Sequence, residues 1–224
     1  MTRPSTKTRD EIAAAYDAPP WWYDLRGFLI LTFAYNSTLG SQLRLFGTNI
    51  GDRHLDIACG SGTLLEMMLK WRRRRALPVG TVVGVDYAEA MLQGARQRFV
   101  NEPAVTLQHA DAAALPFDDD SFDTVNIANS VHCFPDVDGA IQDCYRVLKA
   151  GGTLAANVLI HPRTVQPLRA IAERINRWGM RKGILHTPYT VSDIHQRFTS
   201  AGFEEISSQI SGNCYNLVLR KPAC

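Results

Sequence analysis

Three carboxylates open the chemical reading: Asp56 in LDIACGSG, Asp86 in VVGVDYAEAML and Asp111 in HADAAALPF. Each closes a short apolar, β-like run, so each is expected at the carboxyl end of a strand, where open α/β sheets bind ligands. Gly60 and Gly62 follow Asp56 and lead into the amphipathic run TLLEMML. They permit a tight turn and let a ligand approach the backbone where a Cβ would collide. The same turn also serves as a plain strand-to-helix connection, so charge has to decide its use. A dinucleotide loop needs G-x-G-x-x-G and a pyrophosphate on the helix N-terminus; here the third position is Leu65, and Asp56 would repel the phosphates.

An acid beside the loop suits a nucleotide that is cationic and has no phosphate. S-adenosylmethionine, with its ammonium and sulfonium, is of that kind. Asp86 is placed to accept both hydroxyls of an adenosine ribose, its plainer role being an N-cap for the next helix. Asp111 is placed to take the adenine amine while the Ala112 amide meets a ring nitrogen, its plainer role being a turn acid. A sulfonium makes its methyl group electrophilic already, so the protein has mainly to align the partners and exclude water. Where the acceptor is a hydroxyl or an acidic carbon a base helps. Of the 6 histidines, His132 is the one whose expected position faces the ligand; its plainer role is to order its loop.

The elements that must position these residues follow from the pattern. β-like runs at 54–58, 81–86, 105–109, 122–128 and 152–158 alternate with helical runs at 63–75, 88–100 and 137–148. This is the βαβ texture of a parallel sheet. A helix at 191–201 closed by Gly202 and a hairpin of 205–210 with 214–220 complete seven strands. Residues 159–188 break the alternation as a basic helical insertion expected to stand over the carboxyl strand ends. Ahead of the sheet, 1–50 reads as a helical lid belonging to the same domain, with Pro19 and Pro20 stopping a first helix; 51–224 is the ligand-binding domain with 159–188 as its cover. Trp21, Trp22, Phe28 and Phe33 in the lid either line an apolar pocket or form plain core.

Bulk properties exclude several classes. A formal net charge of +2 gives no global case for nucleic acid, and the 5 cysteines form no C-x-x-C pair, so neither a disulfide framework nor a metal site is expected. MTRPSTKTRDE lacks the apolar region of a secretory signal, and the longest apolar run, 28–35, is too short to span a bilayer, so a cytoplasmic setting is expected. Positive charge gathers locally at Arg72 to Arg75 beside Trp71 and through Arg163, Arg169, Arg174, Arg177, Arg181 and Lys182. These read either as solvated helix ends or as peripheral contact with an anionic membrane.

In register, LDIACGSG, VGVDYAEAML, HADAAALPFDDDSFDTV, YRVLKAGGTL and HTPYTVSDIHQRFTSAGF resemble the class I S-adenosylmethionine-dependent methyltransferases, in particular the branch similar to the ubiquinone and menaquinone biosynthesis enzymes. The resemblance covers Tyr16 to the C-terminus. It implies a Rossmann-like seven-strand sheet of order 3-2-1-4-5-7-6 with strand 7 antiparallel, S-adenosylmethionine as cofactor and a small, apolar or aromatic acceptor. It also implies that Asp56, Ala58, Gly60 and Gly62 hold the methionine end, with Asp86 on the ribose. Tyr87 and Met91 then form the adenine wall, Asp111 and Ala112 the adenine contacts, and Tyr23 and Asn129 further cofactor contacts. Tyr16, Trp22, His132 and Tyr189 are implied on the acceptor side. Two departures stand out: Ala58 replaces a glycine common there, and NSVHCF, 129–134, keeps the first of two histidines often seen after the fourth strand. The competing classes are a non-catalytic module that binds S-adenosylmethionine and a nicotinamide oxidoreductase on the same architecture.

Overall fold

The computed structural model describes residues 38–161 and 189–223, together with Ala170, Glu173, Arg174 and Arg177. Its first element, helix α1 (Leu39–Thr48), starts where the Thr38 hydroxyl accepts from the Ser41 amide at 3.2 Å, satisfying one of the unpaired donors of a helix N-terminus. Strand β1 (Arg53–Ile57) leads into α2 (Thr63–Arg73), β2 (Thr81–Asp86), α3 (Glu89–Arg98), β3 (Val105–His109) and β4 (Phe122–Ile127). A single 3-10 turn, Val131–Cys133, precedes α4 (Val137–Val147) and β5 (Leu148–Leu159); α5 (Val191–Ser200), β6 (Glu204–Ser211) and β7 (Cys214–Arg220) close the fold.

The seven strands form one sheet of order β3-β2-β1-β4-β5-β7-β6. β1 to β5 are parallel to one another and β7 is antiparallel to both β5 and β6, so the expected architecture is the observed one. Alternate residues of β1 face opposite helical layers. Leu55 and Ile57 join Val125, Ile127, Ile141, Cys144, Ile194 and Phe198 in the core under α4 and α5. The other face holds a second core in which Phe46 of α1 meets Leu65, Met68 and Leu69 of α2 and Phe99 beyond α3. Both faces are buried, as a central parallel strand requires, and β1 presents His54 and Asp56 to the second of them.

Some boundaries differ from the sequence reading. α2 ends at Arg73 rather than 75 and α3 covers Glu89–Arg98 rather than 88–100, because Arg74 and Phe99 already serve as caps. β5 begins at Leu148 rather than 152, since Leu148 pairs with Phe122 across a register shift before the ladder resumes at Thr153. At the edge, β6 carries a bulge between Glu205 and Ser207, a device that discourages pairing with another strand. Within the 159–188 insertion, Ala170, Glu173, Arg174 and Arg177 are helical as expected. Among the described residues no helix is long and apolar enough to cross a membrane.

Candidate functional site

Strand order reverses direction between β1 and β4, which places a crevice at the carboxyl ends of this pair. The β1 turn begins with Ala58 at φ 55°, then Gly60 at 58° and Gly62 at 76°. Left-handed geometry is free for glycine but strained for Ala58, so the departure from glycine noted above is accommodated by local strain rather than by a different turn. Gly62 is required for packing as well: a Cβ there would lie 2.6 Å from Cε2 of Phe99.

Asp56 points from β1 into the helical layer of α1 and α2. It is buried, and its Oδ1 has no hydrogen-bond partner. Burial first, and then the neighbouring Asp86, push its carboxyl up to about 7. A buried carboxylate with an unsatisfied oxygen is an incomplete arrangement that a cation would complete, so the residue fits the ammonium end of the expected cofactor. Asp86 stands at the end of β2 and clamps two loops, accepting from the Gly60 amide through Oδ2 and from the Ala88 amide through Oδ1, both at 2.8 Å. Burial raises its pKa and those backbone donors oppose the rise. It is not the N-cap of α3, which is Ala88 and has no side-chain cap, but holds the Ala88 amide just ahead of the helix, and an ionised carboxylate retains acceptor capacity beyond these bonds for a ribose.

The adenine side is built from the β2 and β3 ends. The His109 ring lies 5.1 Å from that of Tyr87, and its Nε2 contacts the Tyr87 carbonyl at 2.8 Å, tying the two strand ends together. Met91 is buried in α3. Asp111 accepts from the Ala113 amide at 3.0 Å and forms a bridge with Ala114, so its carboxylate shapes the turn carrying Ala112.

On the acceptor side, His132 is buried in the 3-10 turn after β4. Tyr189 bridges Ile160 beyond β5, and burial raises its phenol, with the Cys133 thiol among the groups acting on it. The structure thus brings Tyr189 to the turn that carries His132. Tyr16, Trp22 and Tyr23 lie outside the described residues, as do Trp21, Phe28 and Phe33.

Three supporting residues escaped the sequence reading. Arg98 of α3 donates to the Ser61 carbonyl at 3.1 Å and to Glu66 at 2.9 Å, bracing the glycine turn. Gln42 and Asn157 hold Asn129, which adopts φ 57° just after β4. A signal existed for Asn157, a polar residue within the apolar run LAANVL; Gln42 on a helix in LGSQLRLF carried none.

The basic cluster needs correction. Arg72 is not a solvated helix end: it is buried and donates to the Gly47 carbonyl at 2.7 Å and twice to the Pro78 carbonyl. Arg73 pairs with Glu102 at 2.5 Å, and Arg75 stacks 4.1 Å from the Trp71 ring centre. The stretch is placed where α2 ends because its carbonyl-rich terminus and the following loop need donors.

The sheet order, the glycine turn and the acids at three successive strand ends form a Rossmann-like domain with the architecture of the class I, S-adenosylmethionine-dependent methyltransferases. Residues 55–156 match the family model described as a methyltransferase domain. The chain is 35% identical over 116 residues to a demethylmenaquinone methyltransferase of Roseiflexus castenholzii, covering 52% of this chain and 45% of that protein. It is 37% identical over 106 residues to one of Staphylococcus aureus, covering 47% and 42%. It therefore spans less than half the length of these relatives. Among solved structures, a Bacillus halodurans protein described as a methyltransferase superposes with a TM-score of 0.67 at 21% identity over 82% of this chain and 100% of its own. A chain of the Haloferax volcanii complex between the Trm112 methyltransferase activator and a methyltransferase gives 0.70 at 19% identity over 97% and 99%. These structures share the fold.

Proposed function

We propose that the chain transfers a methyl group from S-adenosylmethionine to a small apolar or aromatic acceptor. The observation that carries the reading is Asp56, buried beside the glycine turn with Oδ1 unsatisfied and with Asp86 as its neighbour. A pyrophosphate would add negative charge to this pair, whereas the cationic amino-acid end of S-adenosylmethionine offsets it. When bound, that cofactor supplies a methyl group on a positively charged sulfur. In this reading Asp56 and the turn from Ala58 to Gly62 hold its amino-acid end, Asp86 the ribose, and Tyr87, Met91, Asp111 and Ala112 the adenine, with Asn129 facing it across the crevice. Tyr23 would add a further cofactor contact from the segment 1–50.

Acceptor selection is assigned to His132 and Tyr189 with Tyr16 and Trp22, and His132 is the candidate base for a hydroxyl or acidic carbon. The two relatives named for demethylmenaquinone support a quinol-like acceptor. Contact with an anionic membrane has less support from Arg72, which is buried and bonded within the fold, while Arg73, Arg74 and Arg75 stay exposed.

Parallel calorimetric titrations with S-adenosylmethionine, S-adenosylhomocysteine and NAD test the cofactor. Binding of both sulfur nucleotides without NAD is expected, followed by methyl incorporation into quinol or phenol acceptors. Asp86→Ala should weaken cofactor binding by about 1.5 to 3 kcal/mol, the value of a hydrogen bond to a charged group. An NAD signal alone would overturn the assignment.

A further inference from the structure

Among the described residues, Ala58, Ala76, Asp120 and Asn129 are the non-glycine residues with positive φ. Ala58 and Asn129 are the two that flank the crevice, for they follow the paired Ile57 and Ile127 at the ends of β1 and β4. Strain of this kind persists only where surrounding structure over-determines the backbone. Around Asn129 that structure is a closed set of amides. The Gln42 Nε2 donates to Asn129 Oδ1 at 2.9 Å, and Asn129 Nδ2 donates back to Gln42 Oε1 at 3.0 Å. Asn157 Nδ2 donates to the same Oδ1 at 2.6 Å, while its Oδ1 accepts from the Asn129 backbone amide, again at 2.6 Å.

Gln42 is 2% exposed and Asn157 fully buried, so these bonds form away from competing water. Asn157 also hydrogen-bonds the Cys214 thiol of β7. Side chain and backbone of Asn129 are gripped together, from α1 on one side and β5 on the other. The peptide so held begins the turn that forms the β4 wall of the crevice and continues into His132.

We propose that Gln42 and Asn157 are positioning residues for the cofactor site, acting through Asn129 by holding its left-handed backbone in place. This rests on the methyltransferase reading and extends it to two residues that touch neither strand end of the acid set. Removing one amide partner frees the Asn129 peptide to relax toward ordinary φ and moves the crevice wall.

The test measures S-adenosylhomocysteine affinity by calorimetry and Tm by thermal melting for the full chain. Gln42→Leu and Asn157→Leu should each weaken affinity about tenfold, the equivalent of one buried amide hydrogen bond. Thr153→Val is the control: it breaks the 2.6 Å bond to Asn49 on the same sheet layer without touching Asn129, and should lower Tm while leaving affinity unchanged. Unchanged affinity in Gln42→Leu and Asn157→Leu, or equal losses in Thr153→Val, would each overturn the proposal. If wild-type protein fails to bind S-adenosylhomocysteine, the methyltransferase reading falls and takes this one with it. Should Asn157→Leu not fold, the comparison of Gln42→Leu with Thr153→Val decides alone.

Discussion

Asp56 concentrates the site's electrostatics in one carboxyl. Its pKa of about 7 means that near neutral pH the unliganded protein holds it partly protonated, with burial as the main cause and Asp86 as the second. A bound ammonium favours the ionised form, so binding below pH 7 must expel a proton. Cofactor affinity is therefore expected to fall about tenfold per pH unit on the acid side of that value and to level off above it. Titrations between pH 5.5 and 8.5 would show this, together with proton release that varies with the ionisation enthalpy of the buffer. Asp56→Asn should bind weakly at every pH with the slope removed. A slope of equal size in Asp56→Asn would mean that another group titrates and that the orphaned Oδ1 does not receive the cofactor. Cys59, next to this pair, is no competitor for the role: burial first and then the two carboxylates raise its thiol well above the ordinary range.

Two positions in the β1 turn have similar backbone geometry and opposite expected responses to substitution. At Ala58, φ 55°, glycine relieves strain of about 1 kcal/mol while giving back a comparable entropy in the unfolded chain, so Ala58→Gly should leave stability within about 1 kcal/mol of wild type. At Gly62, φ 76°, alanine would meet the buried Phe99 ring at 2.6 Å, and Gly62→Ala should cost about 2 to 4 kcal/mol in denaturant unfolding. Similar losses at both positions would contradict this division between strain and packing. The turn and strand-end acids were legible because they sit beside an abrupt change from β-like to helical periodicity, and Asp56, Asp86 and Asp111 emerge at three successive strand ends. Asn129 was named through the resemblance and Asn157 stood out as a polar residue in an apolar run, but their link to each other and to Gln42 was not legible, since the three are far apart in sequence and nothing local shows which elements will meet. Arg72 was misread for the same reason: in sequence it is one of four consecutive arginines, and only the fold shows that the Gly47 and Pro78 carbonyls require it. Helix ends were displaced by one or two residues where capping, not periodicity, decides termination.

Across the whole molecule, two buried groups on the same face of β1 pull the pH dependence of stability in opposite directions. His54 is buried with Nδ1 at 2.8 Å from the Thr124 hydroxyl and Nε2 without a partner. Burial, and then the positive charge of Arg72, lower its pKa to about 3 from an ordinary 6.5. Because its folded value is depressed, the unfolded chain binds the extra proton between pH 3 and 6.5; the stability this neutral histidine allows is complete above 6.5 and lost as pH falls. Asp56 runs the other way. Its folded value is raised from 3.8 to about 7, so the folded protein binds the extra proton, and the corresponding stability is complete below 3.8 and lost as pH rises toward 7. Each contribution has a limiting slope of about 1.4 kcal/mol per pH unit, and from pH 4 to 6.5 they oppose one another. Denaturant unfolding of the unliganded protein across that window should expose both by difference. Relative to wild type, Asp56→Asn should gain stability progressively as pH rises, while His54→Gln should gain it progressively as pH falls. If the two difference curves have the same sign, one of these groups does not sit in the protonation state that its burial demands.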